Sequence, residues 1–163
     1  MDKAVKDFKN LPLREGVGIV LLNKDNKVFV AKRIDNPNNY WQMPQGGMDP
    51  GETHHEAAIR ELYEEETSIK SVKLIKEIDD YTVYNLPKRL LGIIWKGKYK
   101  GQKQKWFIMK FLGHDSEINI KTKKPEFLEW RWIESNSITK NVVDFKIEVY
   151  KKVQVELNKV LSN

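Results

Sequence analysis

A glycine loop running straight into a capped, acid-laden helix is the strongest constraint in this sequence. The stretch QGGMDPGETHHEAAIRELYEEETSI, Gln45 to Ile69, holds seven of the chain's 23 acids and a single arginine. Thr53 and Glu56 form a T-x-x-E capping box, and neither Pro nor Gly interrupts the next turns, which predicts a helix over Thr53 to Glu66. At about 100° per residue, Glu61, Glu64 and Glu65 fall on one face, within roughly 100° of arc. Ile59, Leu62 and Tyr63 lie to the other side, toward a core, and small Ala57 and Ala58 flank the acids, leaving room for a chain segment or a ligand. Crowded carboxylates repel one another unless a cation sits among them, and hard oxygen donors suit Mg²⁺ or Mn²⁺. An ordinary solvated face explains the helix alone. The glycines before it shift the balance, because Gly46, Gly47 and Gly51 let backbone approach a ligand closely. Arg60 abuts the carboxylates and can hold them through bidentate pairs. Loop, cap and carboxylates in succession point to a metal–phosphate site.

The rest of the chain has the opposite sign. A net charge of +6 and a pI near 9.3 make nucleic acid or nucleotides natural partners, against the plainer reading of lysine as a solubilising residue. The 163 residues are expected to form a single domain, 1–163. No apolar run reaches the length of a membrane span. The N-terminal MDKAVKDFKN has no apolar signal core, and the absence of cysteine excludes disulfides and thiolate metal sites. The expected location is the cytoplasm.

Strands are predicted over Glu15 to Leu22 and Lys27 to Lys32, joined by a turn at Asp25-Asn26. Others are predicted around Ser71 to Ile78, Leu90 to Lys96, Lys105 to Leu112 and Leu128 to Trp132. A second helix, from about Val142 to Leu161, carries the stripe Val149, Tyr150, Val153, Leu157, Val160 and Leu161. Strands mixed with two separated helices indicate a layered α/β domain.

The acidic stretch resembles the box of the Nudix hydrolases, G-x5-E-x7-R-E-U-x-E-E-x-G-U with U a bulky apolar residue. Gly46, Glu52, Arg60, Glu61, Leu62, Glu64 and Glu65 match at the family spacing, so the box spans about 46–67. Its end departs from the pattern. Counted without a gap, Thr67 replaces the glycine and Ser68 the apolar residue, and Glu66 points to the apolar side. A one-residue insertion would instead make Ile69 the final apolar position. The unbroken count from Arg60 selects Glu64 and Glu65. WQMPQGGMDPGE, LPKRLLG, GQKQKWF, PEFLEWRW and VVDFKIEVY are similar to the bacterial RNA pyrophosphohydrolase branch and its relatives, the asymmetrical dinucleoside polyphosphate hydrolases.

The resemblance implies a mixed β-sheet between α-helices (α/β/α) with a C-terminal helix. It implies Mg²⁺-dependent hydrolysis of a phosphoanhydride, with Mn²⁺ as a possible substitute. The substrate would be 5′-triphosphorylated RNA, left with a 5′-monophosphate that exposes it to decay, or alternatively a dinucleoside polyphosphate such as diadenosine tetraphosphate. A non-catalytic nucleotide-binding module is the third reading, disfavoured because the box glutamates are present. The implied metal donors are Glu61, Glu64, Glu65, Glu126 and the Gly46 carbonyl, with Arg60 orienting them. Arg14, Arg33, Lys88, Lys103, Lys105 and Lys146 are candidate phosphate contacts. Phe145 would stack a base beside Arg33 and Val143. Trp41, Trp106, Trp130 and Trp132 are read as core or pocket walls, and His54 and His55 as exposed residues without a metal role.

Overall fold

Central strands must be apolar on both faces, and two segments of this chain meet that demand: β1 (Leu13–Leu22) and β6 (Gly101–Phe111), each buried over most of its length. They pair in parallel, from Leu13 beside Gly101 to Leu22 beside Lys110. The computed structural model describes residues 8–36 and 38–162; residues 1–7, on which most of the signal-peptide reading rests, lie outside the described residues. Around the central pair stand β2 (Val28–Arg33), β3 (Gln45–Gly47), β4 (Val72–Glu77), β5 (Thr82–Asn85) and β7 (Phe127–Ile133). The sheet order is β4-β6-β1-β2-β7, with β3 paired to β1 and β5 to β6, and every pairing but β1–β6 is antiparallel.

Side chains alternate between two faces of this mixed sheet. Ile19, Leu21, Phe29, Phe107 and Met109 pack against α1 (His54–Arg60) through Ala57 and Ala58, and against the turn that follows it through Leu62. Val20, Val28, Val30, Trp106 and Ile108 pack against α2 (Ile147–Leu161) through Val149, Tyr150, Val153 and Leu157. The result is the expected α/β/α layering with a C-terminal helix. The α2 stripe is core, with Val160 and Leu161 half-buried at its end. Tyr150 Oη accepts from the Met43 amide at 2.9 Å, which ties α2 to the loop entering β3. Among the described residues no helix is long and apolar enough to cross a membrane.

Several sequence readings need correction. The strand expected over Leu90 to Lys96 is a run of turns ending in a 3₁₀ turn, Ile94–Gly97, because Gly92, Trp95, Lys96 and Gly97 all have positive φ. Strand β6 starts at Gly101 rather than Lys105, and the short strands β3 and β5 were not foreseen. Helix α2 starts at Ile147, after a 3₁₀ turn at Asp144–Lys146. Ala57 and Ala58 are fully buried and let α1 lie close to the sheet, while Ile59 and Tyr63 are exposed.

Candidate active site

Helix α1 is fixed at its start by the foreseen capping box: the Glu56 amide donates to Thr53 Oγ1 and the Thr53 amide to Glu56 Oε1. One turn on, Arg60 reaches back over the glycine loop. Its Nε donates to Glu52 Oε2 at 2.6 Å, its Nη2 to Glu52 Oε1 and the Gly47 carbonyl at 3.0 and 2.9 Å, and its Nη1 to Glu61 Oε1 at 3.2 Å. This fork joins the loop to the helix and raises the guanidinium's proton affinity further, chiefly through Glu52. Glu61 is buried against β3. A Cβ on Gly46 would collide with its carboxylate, so glycine there is what allows helix and loop to approach. Burial pushes the Glu61 carboxyl up to about 7, Arg60 offsetting part of the effect and Glu126 and Glu65 adding to it.

Beyond Arg60 the helix widens into a π-helical turn over Glu61–Thr67, closed by the Ser68 amide donating to the Tyr63 carbonyl at 3.0 Å. Residues of a wider turn rotate less per step, which brings Glu66 round toward Glu61. Glu61 is buried, Glu64 exposed and Glu65 half-buried. Glu66, read as pointing to the apolar side, is 1% exposed and lies in a polar cluster. Its Oε1 accepts from the Gln45 amide at 3.1 Å, while its Oε2 has no donor among the described residues. Burial and the adjacent Glu126 carboxylate, with which it can share a proton, push the Glu66 carboxyl well above the ordinary range.

Glu66, Glu126 and Glu61 thus crowd negative charge beside the Gly46 carbonyl, itself 3.4 Å from Gln102 Nε2. Among the described residues no three acidic or histidine side chains already stand in an arrangement that would hold a metal ion: Glu61 is drawn toward Arg60 and Glu66 toward Gln45. The donor chemistry nevertheless fits a hard divalent cation, since an unpartnered buried carboxylate oxygen among other carboxylates is costly without a cation or a shared proton.

A cleft of about 630 Å³ opens on the α2 side of the sheet, and Gln45 lines it. It gathers four of the foreseen contacts: Arg33, Val143, Phe145 and Lys146. Arg33 forks onto Asp35 at 2.8 and 2.9 Å and stands 4.0 Å from Glu126, which connects cleft and carboxylates. Half-buried Phe145 tilts against Tyr84 with ring centroids 5.7 Å apart. Burial, with the Arg33 charge adding, lowers the Lys146 ammonium to about 7. Arg14 lies against Gly47 and 5.1 Å from the Trp95 ring, at the other wall.

Other basic candidates stand elsewhere. Lys103 and Lys105 leave the opposite face of β6, over the Tyr81 ring at 4.2 and 4.9 Å, and Lys105 donates to the Asp79 carbonyl. Lys88 is exposed in the turn after Pro87, while its neighbour Arg89 lines the cleft. His55 is exposed as expected, but His54 is half-buried, 2.8 Å from Glu15. Trp41 and Trp106 are buried, and Trp130 and Trp132 half-buried against the α1-side core.

The NUDIX domain model matches residues 12–153. The chain belongs to the Nudix family. Over 153 residues it is 69% identical to an RNA pyrophosphohydrolase of Pelagibacter ubique (strain HTCC1062), covering 94% of this chain and 96% of that protein. An RNA pyrophosphohydrolase of Orientia tsutsugamushi (strain Boryong) is 45% identical, with 94% of each covered. In fold, the chain resembles the E. coli dihydroneopterin triphosphate pyrophosphohydrolase, with a TM-score of 0.68 at 20% identity over 89% of this chain and 99% of that one. It also resembles a C. elegans Ap4A hydrolase in a binary complex, with a TM-score of 0.62 at 22% identity over 90% and 99%.

Against the Nudix box, the π-helical turn accounts for the irregular ending. Ser68, not Thr67, takes the left-handed conformation of the pattern's glycine, with φ 66°, and Ile69 is the buried apolar residue at 1% exposure. The extra residue is absorbed inside the helix, and Glu66 moves inward. Hydrogen bonds from Thr67 Oγ1 to the Leu62 carbonyl and from Ser68 Oγ to the Asn119 carbonyl stabilise this end. Sequence reasoning did not single out Gln42, Gln45, Tyr84, Arg89 or Trp95. The one available signal was for Glu66, in the alternative of an insertion before Ile69.

Proposed function

We propose that this chain is an RNA 5′-pyrophosphohydrolase, a single Nudix domain that converts a 5′-triphosphate end to a 5′-monophosphate and so exposes the RNA to decay. The observation that carries it is the junction at Arg33: a cleft with an aromatic side chain, buried Lys146 and half-buried Arg33 opens beside a crowded carboxylate cluster. The relatives named RNA pyrophosphohydrolase support the same reading over nearly the whole chain.

Nudix hydrolases generally use divalent metals. Here Glu61, Glu65, Glu66, Glu126 and the Gly46 carbonyl would hold one or more, with Mg²⁺ the ion such oxygen donors suit and Mn²⁺ a substitute. When bound, the cation neutralises the polyphosphate and activates water. The chain's residues do the rest. Arg60 holds the glycine loop and Glu61 in place, and Arg14 and Lys146 meet the phosphates with positive charge. Phe145 stacks the first base, with Arg33 and Val143 beside it. Water's oxygen bonds to phosphorus as one phosphoanhydride bond breaks, a carboxylate of the cluster takes the proton, and pyrophosphate leaves. A cytoplasmic location suits an RNA substrate and a cysteine-free chain.

A second reading is an asymmetrical dinucleoside polyphosphate hydrolase, favoured by the cleft's compactness and its further rings, Tyr40 and Trp95, which suit a second base. The discriminating experiment compares kcat/KM on triphosphorylated RNA and on diadenosine tetraphosphate with Mg²⁺. Preference for the RNA is expected; a strong preference for the dinucleotide would replace the first reading by the second.

A further inference from the structure

From Tyr81 to Gly113 the chain has eight Lys and Arg residues and no acid. In three dimensions these cations divide. Lys103 and Lys105 go to the α1 side, around Tyr81. Lys88, Arg89, Lys96 and Lys98 belong to the irregular loop between β5 and β6, whose Arg89, Leu90, Ile94 and Trp95 form one wall of the cleft. That wall has an unusual backbone: Trp95 and Lys96 are consecutive non-glycine residues at φ 51° and 58°. Such conformations cost on the order of 1 kcal/mol each and persist only where surroundings impose them. Here they set the Trp95 indole beside Arg14 and leave Lys96 exposed, outside the cleft lining. Lys98 is also exposed, and neither lysine has an acidic partner among the described residues. Across the cleft mouth, Arg89 stands 3.4 Å from Asp144, with both side chains largely in solvent, a weak pair that a phosphate can replace.

We infer that this loop is a track for the RNA backbone beyond the nucleotides held in the cleft, with Lys96 and Lys98 contacting phosphates downstream of the 5′ end. The inference rests on the RNA reading and deepens it. A dinucleoside polyphosphate ends inside the cleft and has no phosphates to place outside its lining, whereas an RNA chain must leave the cleft over some rim. Unpaired exposed cations bind a polyanion through counterion release, independently of sequence, and single-stranded RNA gives a salt slope of about 0.7 per phosphate contacted.

The test measures binding of fluorescent 5′-monophosphorylated RNAs, one of about three nucleotides and one of about twenty, by anisotropy across a salt series. Wild-type protein should bind the longer RNA about tenfold more tightly at low salt. The K96Q/K98Q variant should lose most of that advantage and about 1.4 of the salt slope, while binding the short RNA as wild type does. K151Q/K152Q, the same charge change on exposed positions of α2, should behave as wild type. Equal long-RNA binding by K96Q/K98Q and wild type overturns the track, as does an equal loss in the α2 control. Hydrolysis is followed in parallel on triphosphorylated forms of both RNAs. Turnover with no effect of the lysines sinks only the track. Lysine-dependent binding without turnover sinks only the enzymatic reading.

Discussion

The Gln45 amide donates to Glu66 Oε1 at 3.1 Å, fixing a carboxylate that is 1% exposed at the end of the box helix. The other oxygen faces no donor among the described residues, and Glu126 crowds it. A buried carboxylate so placed needs a proton or a cation. The π-helical turn therefore hands the inward position to Glu66 and leaves Glu64 in solvent.

Glu66→Gln is expected to lower kcat/KM by about 100-fold or more and to weaken Mn²⁺ binding, since a charged donor is lost from the cluster. Glu64→Gln should stay within about threefold of wild type, as exposed substitutions usually do. Steady-state kinetics and calorimetric Mn²⁺ titration on both variants check this. The reverse ranking would restore the ungapped count from Arg60.

Arg60→Lys keeps the charge but removes the fork that binds Glu52 and the Gly47 carbonyl together. About 1–3 kcal/mol of stability should be lost, along with about 10-fold or more in divalent-ion affinity, because Glu61 and the glycine loop lose their common anchor. Chemical denaturation and ion titration measure the two effects separately. Wild-type ion affinity in a destabilised variant would confine Arg60 to a structural role.

The Glu61 carboxyl, pushed up to about 7 chiefly by burial, makes metal-free stability depend on pH. Between the ordinary glutamate range and about pH 7 the folded protein holds a proton that the unfolded chain has released, so this group's contribution falls as pH rises through that window. A divalent cation compensates the ionised form. The Tm gain on adding Mg²⁺ should therefore be larger at about pH 8 than at about pH 5.5, by differential scanning fluorimetry. Equal gains at both pH values would speak against a cation beside Glu61.

Phe145→Ala should raise KM for triphosphorylated RNA by about 10-fold with a smaller change in kcat, because stacking on an aromatic ring contributes about 1–3 kcal/mol per base. Phe145→Tyr should retain most of the affinity. A stability loss without a KM effect would mean that Phe145 only packs against Tyr84.

What could be read in the sequence followed from period and spacing. The α2 stripe repeats at helical intervals and became core, and Thr53 and Glu56 announced their capping box three residues apart. The pattern from Gly46 to Glu61 fixed the loop and the Arg60 fork, because those contacts are local. Three features lay beyond such signals. Whether an extra residue near Glu66 slips past the helix end or widens a turn depends on what Ile69 and Glu66 meet in the fold. The wall of Trp95 and Lys96 uses left-handed conformations that no residue type there announces. Lys103 and Lys105 depend on which face of β6 meets α2. With Trp106 on that face, alternation sends Gln102 and Gln104 with it and the lysines away from the cleft.

The most direct measurement incubates the protein with 5′-triphosphorylated RNA and Mg²⁺, with Glu66→Gln in parallel, and identifies both products. Wild-type protein should release pyrophosphate and leave RNA with a 5′-monophosphate, a reaction that chelation stops and Glu66→Gln nearly abolishes. Wild-type protein that leaves the triphosphate end intact with Mg²⁺ present would contradict the account.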